Sequence, residues 1–311
     1  MKSLIFKIFA VILSIVIFIS VCIPLSELLP YRDFRLQMVW DDIYGSSNID
    51  YIFVGSSHVY TGIDPFLIEE LTGRKTVLIS SGVQTLAETC YSIEEALKYQ
   101  SPKAVFVDLY GLYKKFDRQD NFMNADCMRL SPTKIKLAKS HAFSEVPVID
   151  VAFPLVREHS NWKEWDNIKH NYMMIKYPAE NTRGYSPLDS VMPEETAEYF
   201  ENLQYDDTEI SLDPEDVKYL HKIEDLCKKN GCEARFFMVP WYKGFADKIN
   251  YKSLTDAISS EIKFTDYTLS GGNIVGLDHT FFIEEKPSDN QHLNRTGAEI
   301  FTKYLVETQG M

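Results

Sequence analysis

The chain has 311 residues, of which 45% are hydrophobic and 13% aromatic, enough to bury a full α/β core and too apolar for a disordered polypeptide. Its formal net charge of −13 and pI near 5.0 argue against nucleic acid as a partner, because phosphate binding needs clustered lysine and arginine. The length is compatible with one large domain or two small ones.

The N-terminal segment has the pattern of a membrane anchor. Lys2 and Lys7 precede an apolar run over residues 8–25, which is just long enough to cross a bilayer core. The alternatives are a cleaved signal peptide, which would have a shorter apolar region and small residues before the cut, and a core helix. Lysines on the N-terminal side place the rest of the chain outside the cytoplasm. We therefore predict a single-pass protein of the cell membrane, with an anchor at residues 1–29 and an extracytoplasmic domain at residues 30–311.

Beyond the anchor, the chain alternates between apolar strands and amphipathic helices. Strands are predicted at residues 50–54, 75–80, 103–110, 234–240 and near 273–277. Helices are predicted from Asp64 to Gly73, from a capping box at Thr85, from Asp213 to Gly231, over 253–262, and from Asn294 to about residue 306. This alternation predicts a three-layer α/β/α fold with a mainly parallel sheet of about five strands.

The alternation is lost between about residues 111 and 200. This stretch is too long for a plain loop and contains helical pieces such as 132–140 and 153–168, so we interpret it as an inserted helical lid or subdomain. Residues 30–48 are interpreted as a connector between the anchor and the sheet.

The cysteines and histidines do not have metal-ligand spacing, and neither a metal nor a cofactor is predicted. An oxidising compartment permits disulfides, but a domain of this size does not need them. We interpret the exported cysteines as buried small side chains, with a Cys227–Cys232 bridge as the alternative. They are Cys90, Cys127, Cys227 and Cys232.

A candidate nucleophile follows the first predicted strand directly, in Gly55-Ser56-Ser57-His58. Ser57 would stand at the carboxyl edge of a parallel sheet, where open α/β sheets bind ligands. A serine hydroxyl reacts only when a base takes its proton, and the base needs a partner that fixes its tautomer. His292 and Asp289, in a turn before the last helix, can fill these roles. Taken singly, such a serine is more often a helix cap, and such a histidine a surface or core residue.

Together these blocks resemble those of the SGNH/GDSL hydrolases, a superfamily with a flavodoxin-like fold. The Gly55 to His58 block is similar to their first block, with Ser57 at the nucleophile position, and Asp289 to Leu293 is similar to their Asp-x-x-His block. Ser80-Ser81-Gly82 is similar to their glycine block, which implies that Gly82 donates a backbone N–H to an oxyanion hole. The likeness covers about residues 50–307.

Within this superfamily, the anchor, the Gly-Ser-Ser form and Pro240-Trp241 are similar to an exported branch that includes the D-alanyl transfer protein of the teichoic-acid pathway. The resemblance implies a cell-envelope glycan or acylated polymer as substrate and a multipass membrane acyltransferase as candidate partner. Features of the insertion also resemble this branch. They make Arg157, His159 and Tyr185 candidate substrate contacts, with packing on the sheet as the equal alternative.

The third strand departs from the SGNH pattern, because no asparagine follows it to act as a second oxyanion donor. Losing one such donor costs roughly a hundredfold or more in rate. Gln84 and the backbone N–H of Ser57 are the candidate substitutes. The sequence therefore predicts a membrane-anchored serine esterase or O-acyltransferase working through an acyl-serine. The alternative is a catalytically degenerate binding or accessory protein of an envelope acylation system.

Overall fold

The computed structural model describes residues 2–45, 48–113, 122–268, 277–283 and 292–311. These residues form a five-stranded parallel sheet with the order β2-β1-β3-β4-β5. The strands are β1 (Tyr51–Gly55), β2 (Thr76–Ser80), β3 (Ala104–Asp108), β4 (Glu233–Met238) and β5 (Phe264–Asp266). The predicted α/β fold is thus confirmed, and β1 to β4 lie at their predicted positions.

The helices of the described residues connect and surround these strands. In chain order they are α1 (Lys2–Leu28), α2 (Phe34–Tyr44), α3 (Ser57–Gly62), α4 (Pro65–Thr72), α5 (Leu86–Ala96), α6 (Met123–Cys127), α7 (Pro132–Ala138), α8 (Val148–Ala152), α9 (Pro154–Glu158), α10 (Trp165–Lys176), α11 (Glu194–Glu201), α12 (Pro214–Lys229), α13 (Lys243–Ala246), α14 (Tyr251–Glu261) and α15 (Arg295–Gln309). Short 3₁₀ turns occur at Tyr110–Leu112, His141–Phe143, His159–Lys163 and His279–Phe281.

The helices cover both faces of the sheet, which explains why β1, β2 and β3 are buried along their whole length. One apolar cluster joins the sheet to α2, α5, α12 and α14, and the other joins it to α3, α4 and α15. The predicted caps are present. Thr85 forms a complete capping box with Glu88, and Asp64, Asp213 and Asn294 each accept a hydrogen bond from the first turn of their helix.

The segment interpreted as a connector contains a helix, α2, so that interpretation was incomplete. Asp33 caps it by accepting a hydrogen bond from the Leu36 amide at 3.1 Å. The helix buries one apolar stripe against the sheet, formed by Leu36, Val39, Trp40 and Ile43. This i, i+3, i+4, i+7 spacing is that of an amphipathic helix. Polar residues between these positions obscure the stripe in the sequence.

The fifth strand of the described sheet lies outside the predicted range. It lies at Phe264–Asp266, only two residues beyond the end of α14, whereas the prediction was near 273–277. Three half-buried residues at a sheet edge give no apolar run that sequence reasoning could detect. Of the predicted range, residues 273–276 lie outside the described residues, and Leu277 is not in a strand.

The cysteines are free thiols. Those predicted to be small buried side chains are buried, namely Cys90, Cys127, Cys227 and Cys232. The Cys232 thiol donates a hydrogen bond to the carbonyl oxygen of Cys227 at 3.4 Å, so the two residues are close without a bond between their sulfurs.

The stretch predicted to be an insertion, residues 111–200, packs on three different parts of the molecule. Its first part, with α7, lies on α5, where Ser131 and Lys98 both bond the buried carboxylate of Glu95. Its second part, α9 and α10, lies beside the end of α1. Its third part, residues 183–192, starts along β2, where the Leu78 amide donates to the Arg183 carbonyl oxygen at 2.9 Å.

The helix predicted over 153–168 is divided into α9, a 3₁₀ turn and the start of α10. Side chains in this stretch bond backbone carbonyl groups and so compete with a continuous helix. His159 Nδ1 lies 2.7 Å from the Val156 oxygen, and the Asn161 amide donates to the Leu29 oxygen at 3.3 Å. The second contact joins this turn to the end of α1, which sequence periodicity cannot reveal.

Among the described residues, α1 contains the one segment long and apolar enough to span a membrane, Ile5–Leu28. None of its most apolar window is buried against the rest of the protein.

Gly184 and Gly231 offer a matched test of the contact between residues 183–192 and β2. Both have positive φ angles, +93° and +72°, but a Cβ at 184 would lie 2.3 Å from the Leu78 oxygen while Gly231 faces open space. We expect Gly231→Ala to lose roughly 1–2 kcal/mol of unfolding free energy through backbone strain alone. Gly184→Ala should lose clearly more, because the added methyl must push the segment off the strand. Urea unfolding of the detergent-solubilised protein measures both, and equal losses would contradict the assigned contact.

Candidate active site

The turn that presents Ser57 is unusually tight, because β1 ends at Gly55 and α3 begins two residues later. A Cβ at position 55 would lie 2.8 Å from both the Asp108 Cβ and a Val59 methyl group. Only glycine allows the end of β3 and the first turn of α3 to approach so closely. Ser56 is the N-cap residue and Ser57 is the first helical residue.

This turn lies where the strand order reverses. From β1 the chain proceeds outward to β2, on one side, whereas β3 lies on the other side. Crevices at the carboxyl ends of such strands are the usual ligand sites of open α/β sheets. Gly55 pairs with Ser80 at the end of β2, and Val54 pairs with Val107 next to the end of β3. Ser57, Gly82 and Asp108 therefore follow three adjacent strand ends.

The structure brings Ser57 and His292 together, although 235 positions separate them in the chain. The Ser57 Oγ lies 2.7 Å from the His292 Nε2, within hydrogen-bond distance. Both residues are nearly buried, with 5% and 6% of their surface exposed. Asp289, the predicted orienting carboxylate, lies outside the described residues.

His292 is held through its own backbone and through the two residues that follow it. Its carbonyl oxygen accepts a hydrogen bond from the Ile283 amide at 3.0 Å, and the next residue, Leu293, pairs with Phe282 in an antiparallel bridge. Asn294 then caps α15 through the Gly297 amide and donates to the Thr280 oxygen at 2.7 Å. The backbone that carries the imidazole is thus fixed by a short bridge and the start of a helix.

The predicted oxyanion residues lie in the turn after β2. A Cβ on Gly82 would be 4.0 Å from the Tyr60 hydroxyl of α3, so this turn faces the helix that carries Ser57. The next residue, Val83, has a φ of +48°, an unfavourable conformation for a β-branched residue. Such strain occurs most often at functional sites and ligand clamps.

Gln84 is buried in the same turn, and its amide has internal partners. The Nε2 donates to the Thr89 hydroxyl at 3.1 Å and to the Ile79 oxygen at 3.4 Å, while the Oε1 accepts from the Ser81 hydroxyl at 3.1 Å. In this structure Gln84 braces the turn, and its amide hydrogens point toward Thr89 and Ile79.

The three candidate substrate contacts lie apart from one another. Arg157 pairs with Asp126 and Glu158 and donates to the Asp150 oxygen, all within the insertion. His159 is exposed on the neighbouring turn. Tyr185 is buried beside β2 and α3, where burial raises the pKa of its hydroxyl, and the following amide bonds the Tyr60 oxygen at 2.8 Å.

Sequence reasoning missed a polar network directly behind the nucleophile. The Ser56 hydroxyl donates to Asp108 Oδ2 at 3.3 Å, and its oxygen lies 3.5 Å from His58 Nδ1. The His58 ring lies against Tyr110 and His292, with ring centroids 3.8 and 4.6 Å apart. A histidine immediately after the serine pair and a carboxylate at the end of β3 were the available signals. Neither signal predicts that Ser56 lies between His58 and Asp108.

Burial raises the pKa of Asp108 to about 7, although hydrogen bonds from the Val239 and Tyr110 amides and from Ser56 partly offset this effect. Near neutral pH the carboxyl group is therefore close to its midpoint, so its hydrogen bond with Ser56 depends on pH. Among the described residues no group of three or more His, Cys, Asp and Glu side chains could hold a metal ion. The chemistry available at Ser57 is that of a serine with an adjacent imidazole.

The chain is distantly similar to one solved structure in particular. This is the crystal structure of a "putative acylhydrolase" from Bacteroides fragilis, with 12% sequence identity and a TM-score of 0.38. The similarity covers 90% of this chain and 98% of that one. No protein-family model matches the chain, and no curated protein sequence does either. A likeness at this level carries no argument about this chain, so the functional assignment depends on the side chains of the site.

The pKa of Asp108 predicts a specific pH dependence of stability. The unfolded carboxyl ionises near pH 3.8 and the folded one near pH 7, so the folded state holds the extra proton between these values. Stability should therefore fall as the pH rises from about 4 to about 7, by at most ~4 kcal/mol. Asp108→Asn should remove this component, which urea unfolding of both proteins across the range will measure.

Asp278→Asn is the matched control for this experiment. Hydrogen bonds from Thr280 hold the pKa of the exposed Asp278 carboxyl below its usual value. Its contribution to stability is present at neutral pH and is lost as the pH falls, the opposite direction. If the unfolding free energies of the natural protein and Asp108→Asn change in parallel with pH, the Asp108 carboxyl is not held in its neutral form.

Proposed function

We propose that this protein is a membrane-anchored, extracytoplasmic serine esterase or O-acyltransferase that works through an acyl-serine intermediate. The observation that carries the proposal is the 2.7 Å approach of the His292 Nε2 to the Ser57 Oγ at the carboxyl edge of the sheet. A nucleophile within hydrogen-bond distance of its base is the signature of covalent acyl transfer. The two residues also match the first and last SGNH blocks.

The proposed reaction has two stages. As the Ser57 oxygen attacks the ester carbonyl, His292 Nε2 accepts its proton, and the developing oxyanion is stabilised by the Ser57 and Gly82 amides. His292 then returns the proton to the departing alkoxide as the carbonyl–oxygen bond breaks, leaving an acyl-Ser57. In the second stage His292 removes a proton from an acceptor hydroxyl or water, whose oxygen attacks the acyl carbonyl. The bond to Ser57 then breaks, and His292 returns the proton to the Ser57 oxygen. Asp289 is the proposed partner that orients His292.

The burial of the site supports transfer over simple hydrolysis. Ser57 and His292 expose 5% and 6% of their surface, so water has little access to an acyl group held there. Residues 183–192 border this edge, since the Ser186 amide bonds the Tyr60 oxygen and the Arg295 amide bonds the Leu188 oxygen. A bound acceptor hydroxyl gains from proximity where free water does not.

The proposed acceptor is a hydroxyl group of a cell-envelope glycan or teichoic-type polymer. α1 supports this choice, because a chain anchored by Ile5–Leu28 works beside the membrane on which lipid-linked polymers are assembled. Lys2 and Lys7 favour an orientation with the domain outside the cytoplasm. A multipass membrane acyltransferase is the proposed source of the acyl group.

One observation favours the alternative of a catalytically degenerate accessory protein. The position after β3 lacks the asparagine of many SGNH enzymes, and the Gln84 amide is bonded within its own turn. The oxyanion hole then depends on backbone amides alone. Covalent labelling of Ser57 by a fluorophosphonate separates the two functions, because an accessory protein without an activated serine would remain unlabelled.

Substitution of the two adjacent serines tests the assignment. Ser57→Ala and His292→Ala should each lower the rate with an aryl ester by roughly 10⁴-fold or more, since the nucleophile and its base act as a unit. Ser56→Ala is the matched control. It removes one hydrogen bond to Asp108, costs about 1 kcal/mol of stability and should retain much of the activity. Equal losses of activity in Ser56→Ala and Ser57→Ala, measured in a stopped-flow esterase assay, would show that Ser57 is not specifically the nucleophile.

The partition of the acyl group distinguishes transfer from hydrolysis. We expect slow ester hydrolysis that is outpaced when a glycan or polyol acceptor is supplied, because the acceptor can be positioned at a site that excludes water. Gly184→Ala should raise hydrolysis relative to transfer by displacing residues 183–192, and Gly231→Ala should not. Product analysis by mass spectrometry measures the ratio. Fast ester hydrolysis, with a product ratio that no added acceptor changes, would indicate an envelope deacylase instead.

A further inference from the structure

α10 has its polar and apolar faces reversed relative to an ordinary surface helix. Its inward side carries Asn167 and Asn171, four residues apart and so on one face. Its outward side carries exposed aromatic and aliphatic residues together with two lysines. With Trp162 from the preceding turn and Tyr177 from the following residue, the exposed apolar set is Trp162, Trp165, Tyr172, Met173, Ile175 and Tyr177. We call these six residues the aromatic face.

The inward asparagines bond the end of α1. Asn171 donates to the carbonyl oxygens of Leu28 and Pro30 at 2.9 and 2.8 Å, and Asn167 donates to that of Leu29 at 2.9 Å. Asn161 adds a fourth bond, to Leu29 at 3.3 Å. The last carbonyl groups of a helix have no partner within it, so these side chains satisfy groups that would otherwise need water.

These bonds place the aromatic face at a definite depth. Ile5–Leu28 is 24 residues long, or about 36 Å at 1.5 Å per residue, against roughly 30 Å for the hydrocarbon core of a bilayer. Leu28 therefore lies at the level of the lipid headgroups, and α10 is bonded directly to it. Tryptophan and tyrosine concentrate at this level in membrane proteins, and lysine extends its amine from it into water.

A cavity beside α1 points to the same surroundings. Its volume is about 960 Å³. Its walls combine apolar side chains with charged ones; the apolar residues include Phe18, Cys22, Leu155, Val156 and Ile175, and the charged ones Glu27, Arg32, Asp41, Asp126, Arg129 and Lys134. Phe18 lies ten residues before Leu28, so the cavity extends from the end of α1 along the membrane-spanning segment. Walls that combine apolar and charged side chains suit the boundary between lipid tails and headgroups.

From these observations we infer that the aromatic face docks on the lipid bilayer interface, seating the domain on the membrane that α1 crosses. This inference rests on the proposed membrane anchoring. Lipid is the favoured occupant because the face is continuous with α1, whose apolar side chains are exposed in the protein itself. The mixture of tryptophan, tyrosine, methionine and lysine also matches the headgroup boundary.

Docking of the aromatic face would also set the orientation of the candidate active site relative to the membrane. Arg35, at the start of α2 and seven residues beyond Leu28, donates to the oxygens of Ser80 and Gly184 at 2.9 and 2.7 Å. Its guanidinium lies over the Tyr60 ring of α3, 4.3 Å from the centroid. The carboxyl edge of the sheet is therefore tied to the membrane end of the chain, and the substrates that fit are those held at the bilayer surface.

Native tryptophan fluorescence tests the inference in the full-length protein. Two of the four tryptophans, Trp162 and Trp165, lie on the aromatic face, whereas Trp40 and Trp241 are buried in the domain. In vesicles made with phospholipid brominated near the headgroup end of its acyl chains, we expect the loss of up to about half of the emission. Trp162→Phe combined with Trp165→Phe should abolish the quenching. Adding Tyr99→Trp to that pair provides the control.

Tyr99 is 47% exposed. The neighbouring Gln100 accepts a hydrogen bond from the Ile49 amide, just before β1, so Tyr99 lies at the amino-terminal edge of the sheet, opposite the candidate site. Its replacement should stay unquenched. Flotation of the protein with the vesicles measures membrane anchoring by α1, and fluorophosphonate labelling measures the reactivity of Ser57. The anchoring, the proposed function and the docking can therefore fail independently. A protein that floats and is labelled but shows no quenching beyond the control overturns the inference. So does quenching that disappears as the protein concentration rises, since a second copy would then occupy the face.

Discussion

The contact between Asp108 and the turn after β1 is the constraint from which the site is built. The Asp108 side chain approaches so close to Gly55 that any larger residue there would collide with it, and its carboxyl group receives the Ser56 hydroxyl. Because these atoms converge, the chain must turn sharply from strand to helix, and Ser57 is left at the first position of α3. The arrangement requires a buried carboxyl group, which burial keeps largely neutral below about pH 7.

The same contact gives Asp108, at the end of β3, a structural role. In this chain the residue at the end of β3 faces the back of the nucleophile turn and stabilises it. Asp108 Oδ1 also accepts the Val239 amide at 3.4 Å, which links the ends of β3 and β4 behind the site. In the proposed mechanism the oxyanion is stabilised by the Ser57 amide and by the turn after β2, where Val83 adopts a strained conformation next to Gly82. Gln84, Ser81 and Thr89 hold that turn in shape from behind.

The parts of the fold that could be predicted are those encoded locally. β1 to β4 are apolar runs of ordinary length, and the caps at Asp64, Thr85, Asp213 and Asn294 act within three residues of themselves. Ser57 and His292 were predicted as candidates because each stands next to such a local element, and the structure brings them to 2.7 Å of each other. β5 and the break before α10 could not be predicted, because β5 is too short for an apolar pattern and the break depends on the distant Leu29. The Asp108 network likewise joins residues about fifty positions apart.

The polar contacts around the end of α1 have a common structural effect. Membrane attachment alone needs only a helix and a flexible linker, yet the few residues after α1 are held by several buried or half-buried donors. Arg35 extends this bonding to the end of β2 and to residue 184, where the absence of a side chain lets the segment lie on the strand. Each of these contacts restricts rotation of the domain about the end of α1. Since buried polar contacts contribute little net stability in themselves, their effect is to define one orientation. In the proposed function such an orientation has a use, because an acceptor confined to the bilayer surface would reach Ser57 only from one side.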